Sequence, residues 1–135
     1  MILADTSAWV EFLRGTSHPV AVELERLLER DEDLVVTEVI VMELLAGARS
    51  SRHLRELRTK IIAFPILALE GLADFEEAAL LYRGCRAEGE TVRSLTDCLI
   101  AVPAIRAGAA VLHNDGDFDA IARHSELEVH RPRRR

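Results

Sequence analysis

Five acidic side chains stand inside or directly after apolar stretches, where a charged group is least expected. They are Asp5, Glu43, Asp97, Asp115 and Asp117. Burying a carboxylate costs several kcal/mol unless it is paired or binds a metal ion. These five residues are therefore the candidates for chemistry, whereas most of the 23 acids lie on polar helix faces.

The predicted elements bring these carboxylates to one edge of a sheet. Asp5 and Asp115 follow predicted strands, and Asp97 opens a predicted helix; strand ends and helix starts share one edge in α/β units. Several converging carboxylates with no matching lysine would repel one another, and a divalent cation removes that repulsion. Ligation by oxygen atoms alone favours Mg²⁺ or Mn²⁺ over Zn²⁺. Such an ion deprotonates a water and stabilises charge on a phosphoryl oxygen.

The five acids are assigned different roles in this predicted site. The metal ligands are Asp5, Asp97 and one of the later pair, Asp115 and Asp117. Glu43 completes the cluster, either as a ligand or by holding the attacking water.

Each acid also has an ordinary structural explanation. Asp5 can cap the helix that follows it, and Asp97 can be only a first-turn partner of the helix dipole. Glu43 can pair with a nearby arginine. Asp115 or Asp117 can be no more than a turn residue or a helix cap. The metal-site hypothesis rests on the joint pattern rather than on any single acid.

Short aliphatic segments alternate with longer amphipathic ones along the chain. Strands are predicted in residues 1–4, 34–36, 66–69, 110–112 and 127–130. Helices are predicted between them, with Thr37 and Ser94 as N-caps. The alternation predicts the α/β class, with a central, mainly parallel sheet between two helical layers.

Two helices carry residues that bear on their shape and burial. Pro103 lies inside the helix that Asp97 opens, and a proline there should kink or shorten the helix. The helix beginning at Pro19 has one apolar face, and Glu23 is predicted to lie on its solvated side.

The composition indicates one folded domain of 135 residues, with 49% hydrophobic residues and a net charge of −6. A net negative charge ordinarily disfavours binding to nucleic acid, but bound divalent cations would offset part of the negative charge of the acids. The chain has no apolar run approaching the roughly 20 residues that span a bilayer and no basic leader before an apolar stretch, so a cytoplasmic protein is expected. Cys85 and Cys98 lack metal-ligand spacing and are predicted to be reduced and buried.

The chain resembles the PIN-domain ribonucleases, specifically the VapC toxins of VapBC toxin–antitoxin systems. The resemblance covers nearly the whole chain and rests on four acidic motifs in the right order. They are Asp5-Thr6-Ser7-Ala8-Trp9, Met42-Glu43-Leu44-Leu45-Ala46-Gly47-Ala48, Thr96-Asp97-Cys98-Leu99-Ile100-Ala101 and His113-Asn114-Asp115-Gly116-Asp117-Phe118-Asp119. Glycine at position 116, where the family commonly has a basic or polar residue, departs from the pattern without removing a ligand.

The resemblance implies a three-layer α/β/α fold and a Mg²⁺-dependent endoribonuclease, with Mn²⁺ able to substitute. It implies structured RNA as substrate, often tRNA or a ribosomal RNA loop, and a single PIN domain over residues 1–130 with a basic, mobile tail at 131–135. Family members form homodimers and are silenced by a VapB-type antitoxin, whose C-terminal segment occupies the active site in the hetero-oligomer. Carried over, the catalytic residues are Asp5, Glu43, Asp97 and Asp115, with Asp117 a further metal ligand beside Asp115.

An RNA substrate requires cations and polar groups beside the acids. Arg93 is the best-placed arginine, four residues before Asp97. The Thr6 and Ser7 hydroxyls are predicted to contact substrate, a metal-bound water or the Asp5 carboxylate, with plain helix capping as the alternative. For His113, a structural hydrogen bond at the strand end is favoured over contact with RNA. The arginine tail suits either a phosphate backbone or a solubilising end.

Two other protein classes fit the sequence less well. A receiver-type signalling domain would need an acid pair after the first strand and a phosphorylatable aspartate after a middle strand. Asp5 stands alone, and only Glu70 follows residues 66–69. A haloacid-dehalogenase-type phosphatase would need an aspartate where Ser7 stands. A catalytically silent PIN-fold adaptor is the remaining alternative, against which the retention of all the acids argues.

Overall fold

The computed structural model describes residues 1–133, which form four strands and seven helices. In chain order these are β1 (Ile2–Ala4), α1 (Thr6–Leu13), α2 (Pro19–Glu29), β2 (Leu34–Val35), α3 (Glu38–Ala46), α4 (Ser51–Ile61), α5 (Leu72–Ala87), α6 (Leu95–Ala107), β3 (Ala110–Leu112), α7 (Gly116–Arg123) and β4 (Glu128–Val129). No helix in this part of the chain combines the length and apolar character that crossing a bilayer requires.

The four strands form one parallel sheet in the order β2-β1-β3-β4. Ile2 of β1 lies opposite Leu34 of β2 on one side and Ala110 of β3 on the other. Parallel strands need crossover connections, which the intervening helices supply, and right-handed crossovers in opposite directions place helices on both faces. The predicted α/β class with a central parallel sheet is confirmed.

The chain reverses direction across the sheet between β1 and β3. The first crossover leads from β1 to β2, and the next returns past β1 to β3. Strand ends at such a switch point form a crevice in which ligands bind. Asp5 follows β1 there, and its backbone N–H donates to the carbonyl of Leu112, the last residue of β3, at 2.9 Å.

The core is built from aliphatic side chains, as the short apolar strands predict. Leu3 and Leu112 from the central strands are fully buried, together with Ile40, Ile100 and Phe118 from three of the helices. Helices cover both faces of the sheet, so β1, β2 and β3 are apolar throughout instead of alternating. Cys85 and Cys98 are free and buried, as predicted.

The predicted shortening of α6 at Pro103 was wrong, and the prediction of Ser94 as its N-cap is confirmed for the position only. The helix continues past Pro103 to Ala107, because Pro103 and Ala104 are buried in the core and packing holds the turn that lacks one hydrogen bond. Ser94 occupies the N-cap position, but its side chain makes no capping hydrogen bond. Its hydroxyl instead lies 2.5 Å from the Thr96 hydroxyl. Thr37 caps α3 as predicted, by accepting from the Ile40 N–H.

The segment predicted as a strand at residues 66–69 pairs much less than expected. Its only bridge within the described residues joins Ile66 to Val36. Pro65, immediately before it, has no N–H to donate, which limits the ladder that can form there.

The prediction that Glu23 faces water was also wrong, because its side chain is only 3% exposed. The guanidinium of Arg26 donates to both carboxylate oxygens of Glu23, one turn along α2. His130, just after β4, lies 2.9 Å from the same carboxylate, and the Arg133 N–H donates to it at 3.4 Å. Glu23 thus anchors the C-terminal segment to α2. The mobility predicted for the tail stays a prediction, and residues 134 and 135 lie outside the described residues.

Acid is expected to destabilise the protein through Glu23. Burial alone would raise its pKa, but the hydrogen bonds from Arg26 and His130 lower the pKa to about 2. Because the unfolded value is about 4.3, this stabilisation is complete above that pH and is lost as the pH falls toward 2. The linked free energy is roughly 3 kcal/mol. Urea unfolding of wild type and E23Q between pH 7 and pH 3 measures the part of this free energy that is lost above pH 3.

The E23Q variant should be less stable than wild type at pH 7, and the difference should shrink on acidification. The matched control is E25Q, since Glu25 is exposed on the same helix. An E23Q profile parallel to that of wild type over the whole range would contradict the assigned role.

Candidate metal centre

Asp5 serves as a helix cap and leaves one buried oxygen without a partner. Its Oδ2 accepts the Ser7 N–H at 3.0 Å and the Ser7 hydroxyl at 2.6 Å, which caps α1. Its Oδ1 is buried and has no hydrogen-bond partner among residues 1–133. The capping explanation and the ligand explanation therefore apply to different oxygens of the same carboxylate.

Asp97 is buried and, like Asp5, leaves one carboxylate oxygen without a partner within residues 1–133. It lies in the first turn of α6, is 6% exposed, and its Oδ2 has no hydrogen-bond partner among the described residues. One carboxylate oxygen each of Asp97, Asp115 and Asp117 lies within 4.8 Å of the others. The structure thus brings together three of the five predicted acids at ligand spacing.

The electrostatics show that burial and mutual repulsion disfavour the ionised forms of these acids. Burial raises the pKa of Asp97 well above its usual value, and the carboxylates of Asp115, Asp5 and Asp117 raise it further. Burial also raises the pKa of Asp5, to which Glu43 adds a smaller repulsion. Asp5 and Glu43 therefore belong to the same electrostatic group, although neither is within the three-residue cluster. A divalent cation would stabilise the ionised form of all of them.

Asp115 and Asp117 differ in how far their oxygens are already engaged. Asp115 caps α7, with Oδ1 accepting the Asp117 N–H at 3.0 Å. Asp117 is buried, and its Oδ2 accepts the backbone N–H groups of Arg93 and Ser94, both at 3.0 Å. Asp117 thus ties the segment before α6 to the start of α7. Asp115 has more freedom to face a metal ion.

Glu43 and the first two hydroxyls of α1 are linked to this cluster by hydrogen bonds. The Thr6 hydroxyl donates to Glu43 Oε1 at 2.9 Å, and the Ser7 hydroxyl donates to Asp5. Ser7 Oγ also accepts the Asn114 N–H at 2.9 Å, which joins α1 to the turn after β3. Both hydroxyls orient site carboxylates, and their contact with substrate stays a prediction. Glu43 makes no ion pair with an arginine within residues 1–133.

Arg93 and His113 flank the acids in different ways. The Arg93 side chain is 81% exposed, and its Nε lies 3.8 Å from Asp117 Oδ1. The His113 side chain is buried and accepts the Asp115 N–H at Nδ1, so the structural hydrogen bond predicted for it is confirmed. Sequence reasoning missed Asp119, which lies 3.3 Å from His113 Nε2. Its only signal was its place in the third acidic position of the last motif.

The donor set fits a divalent cation. Two buried carboxylate oxygens, on Asp5 and Asp97, have no partner among residues 1–133, and the neighbouring acids supply only oxygen. Orphaned buried charges of this kind are costly unless a cation compensates them. Carboxylate ligands alone suit Mg²⁺ or Mn²⁺.

A parallel sheet with acids gathered at its switch point defines an α/β protein with an acidic site at the carboxyl ends of its strands. Comparison with known families identifies the family. The PIN domain family matches residues 2–124. The chain therefore belongs to the PIN-domain family.

Within that family, the chain is similar to VapC ribonucleases. It is 47% identical over 130 residues to VapC ribonuclease Mb1587 of Mycobacterium bovis, which covers 96% of this chain and 97% of that protein. Two solved structures share the fold: FitAB bound to IR36 DNA fragment and VapBC2 from Rickettsia felis bound to a DNA fragment from their promoter. The FitAB structure has a TM-score of 0.73 at 23% identity, and the match covers 98% of this chain and 95% of that chain. The VapBC2 structure has a TM-score of 0.72 at 17% identity, and the match covers 96% of this chain and 98% of that chain.

Proposed function

We propose that this protein is the toxin of a VapBC pair and a Mg²⁺-dependent endoribonuclease, for which Mn²⁺ can substitute. The observation that carries the proposal is the pair of partnerless, buried oxygens on Asp5 and Asp97 beside Asp115. In a chain 47% identical to a VapC ribonuclease, this arrangement supports hydrolysis of RNA phosphodiester bonds.

The side chains divide the chemistry between holding the ion and handling the water. Asp5, Asp97 and Asp115 would hold the ion, with Asp117 fixing the segment beside them and offering Oδ1. When bound, the ion lowers the pKa of a water and stabilises charge on a phosphoryl oxygen. Glu43, held by the Thr6 hydroxyl at 2.9 Å, would orient the attacking water and accept its proton.

Cations beside the acids support RNA as the substrate. Arg93 extends into solvent next to Asp117. Arg14 and Arg49 line a cavity of about 530 Å³ that Glu43 also lines. Phosphates of a bound RNA would therefore meet positive charge near both Asp117 and Glu43, and such charge is the dominant contribution to affinity for nucleic acid. We propose a structured RNA, tRNA or ribosomal RNA, in the cytoplasm.

Two protein partners complete the proposal. The R. felis neighbour is a VapBC complex, which supports a VapB-type antitoxin as the partner of this chain. A homodimer is supported by large apolar side chains exposed on α5, where Leu72, Phe75 and Leu80 are 73%, 52% and 60% exposed. Such side chains on one helix favour burial against another protein surface.

Cleavage of RNA by the purified protein tests the proposed activity. Total tRNA and ribosomal RNA should be cut at defined positions with Mg²⁺ or Mn²⁺, and EDTA should stop the reaction completely. Sequencing the RNA ends identifies the target. Cleavage that persists in EDTA would overturn the metal mechanism. Intact RNA in every metal would favour the silent adaptor, and the PIN-domain match already argues against a receiver domain.

A further inference from the structure

The turn that carries Asp115 rests on a buried histidine. Only 6% of the His113 side chain is exposed, and its ring lies 5.3 Å from that of Phe118, centroid to centroid. Its Nδ1 accepts the Asp115 N–H at 3.1 Å. The side chain of a strand-end residue therefore holds the main chain of a proposed metal ligand two residues later.

This hydrogen bond fixes the tautomer of the ring. An Nδ1 that accepts an N–H carries no proton, so the proton of the neutral ring is on Nε2. Nε2 is buried and makes no hydrogen bond with the described residues, although Asp119 Oδ1 lies 3.3 Å from it. Arg131 Nη2 lies 2.9 Å from the same Asp119 oxygen. The ring is thus set between the main chain of Asp115 and a carboxylate of α7.

The direction of the Asp115 carboxylate depends on this main-chain position. With its N–H held, Asp115 caps α7 through Oδ1 and faces Asp97 within the three-residue cluster. Without an acceptor at His113, the Asp115 N–H would lose its partner, which costs free energy unless the turn moves toward water. A shift in the turn would move the carboxylate away from its position in the cluster.

We propose that His113 is a positioning residue for metal binding, acting through the Asp115 main chain. The inference rests on the proposed metal site and adds a specific residue outside the ligand set. Side chains that orient metal ligands change metal affinity by about 10- to 100-fold when they are replaced.

Two substitutions separate positioning from packing. H113N keeps an acceptor, because the amide oxygen of asparagine is attached to Cγ, as the Nδ1 of histidine is. H113L removes the acceptor. Both lose the ring against Phe118, so both should lower the melting temperature. Mn²⁺ affinity, measured by calorimetry without RNA, should fall about 10- to 100-fold in H113L and stay within about threefold of wild type in H113N.

Hydrogen exchange of the Asp115 amide supplies a readout that needs no metal. The amide should be protected in wild type and H113N and exchange faster in H113L. Wild-type Mn²⁺ affinity in H113L, equal losses in both variants, or equal Asp115 protection in all three proteins would overturn the positioning role. Absence of Mn²⁺ binding by wild type would instead overturn the proposed metal site, and the exchange comparison would still decide whether His113 holds the turn.

Discussion

Replacing Asp97 with asparagine is expected to lower RNA cleavage by about 10³-fold or more, roughly 4 kcal/mol of activation free energy. Asp97 is buried in the first turn of α6, and its Oδ2 has no partner among residues 1–133. Asparagine keeps the shape of the side chain but removes the charge that would bind the ion. The measurement is a single-turnover cleavage rate with saturating Mg²⁺.

The D97N protein should fold at least as well as wild type when metal is removed. In wild type, burial and the neighbouring Asp115 both disfavour the ionised form of Asp97, so the neutral amide relieves an unfavourable interaction. The control is D31N, because Asp31 is exposed at φ 53°, a conformation that asparagine adopts readily. Cleavage by D97N at the wild-type rate would refute the assignment. Loss of the unfolding transition would show that the residue acts on folding instead.

Strand and helix alternation was enough to predict that Asp5 and Asp115 lie at the same edge of a parallel sheet. Asp5 and Asp115 follow strands that prove to be neighbours, and the parallel sheet places both at the same edge. The prediction needed no distances, because the carboxyl ends of parallel strands lie at the same edge of the sheet. The switch point between β1 and β3 depends on the order of the strands in the sheet, and the hydrophobic periodicity of the sequence does not predict that order.

The details that the sequence could not predict depend on contacts between distant segments. Asp117 accepts N–H groups from Arg93 and Ser94, 24 and 23 residues earlier in the chain. Glu23 has the spacing of a solvated helix residue, yet His130, 107 residues later, covers it. Local sequence patterns predict which face of a helix or strand is buried, but they do not identify the distant residue that will contact a given side chain. Such tertiary hydrogen bonds form only when the chain has folded.

Mn²⁺ is expected to raise the melting temperature of the wild-type protein by roughly 10 °C. A ligand at 100 times its dissociation constant stabilises the folded state by about 2.7 kcal/mol, and a domain of this size gains about 3–5 °C per kcal/mol. The physical cause is the removal of repulsion among Asp97, Asp115 and the acids around them. Melting curves recorded in EDTA and over a Mn²⁺ series measure the effect, and Mg²⁺ should act in the same direction.

The same titration on D97N decides whether the stabilisation comes from the predicted site. Every exposed acid of a chain with net charge −6 attracts divalent ions weakly, and such binding would be equal in wild type and D97N. Binding at the cluster would instead give a large shift in wild type and D31N and little shift in D97N. A shift of the same size in all three proteins would place the ion elsewhere. No shift in wild type at millimolar Mn²⁺ would mean that the partnerless oxygens of Asp5 and Asp97 are neutralised by protons and not by a metal ion.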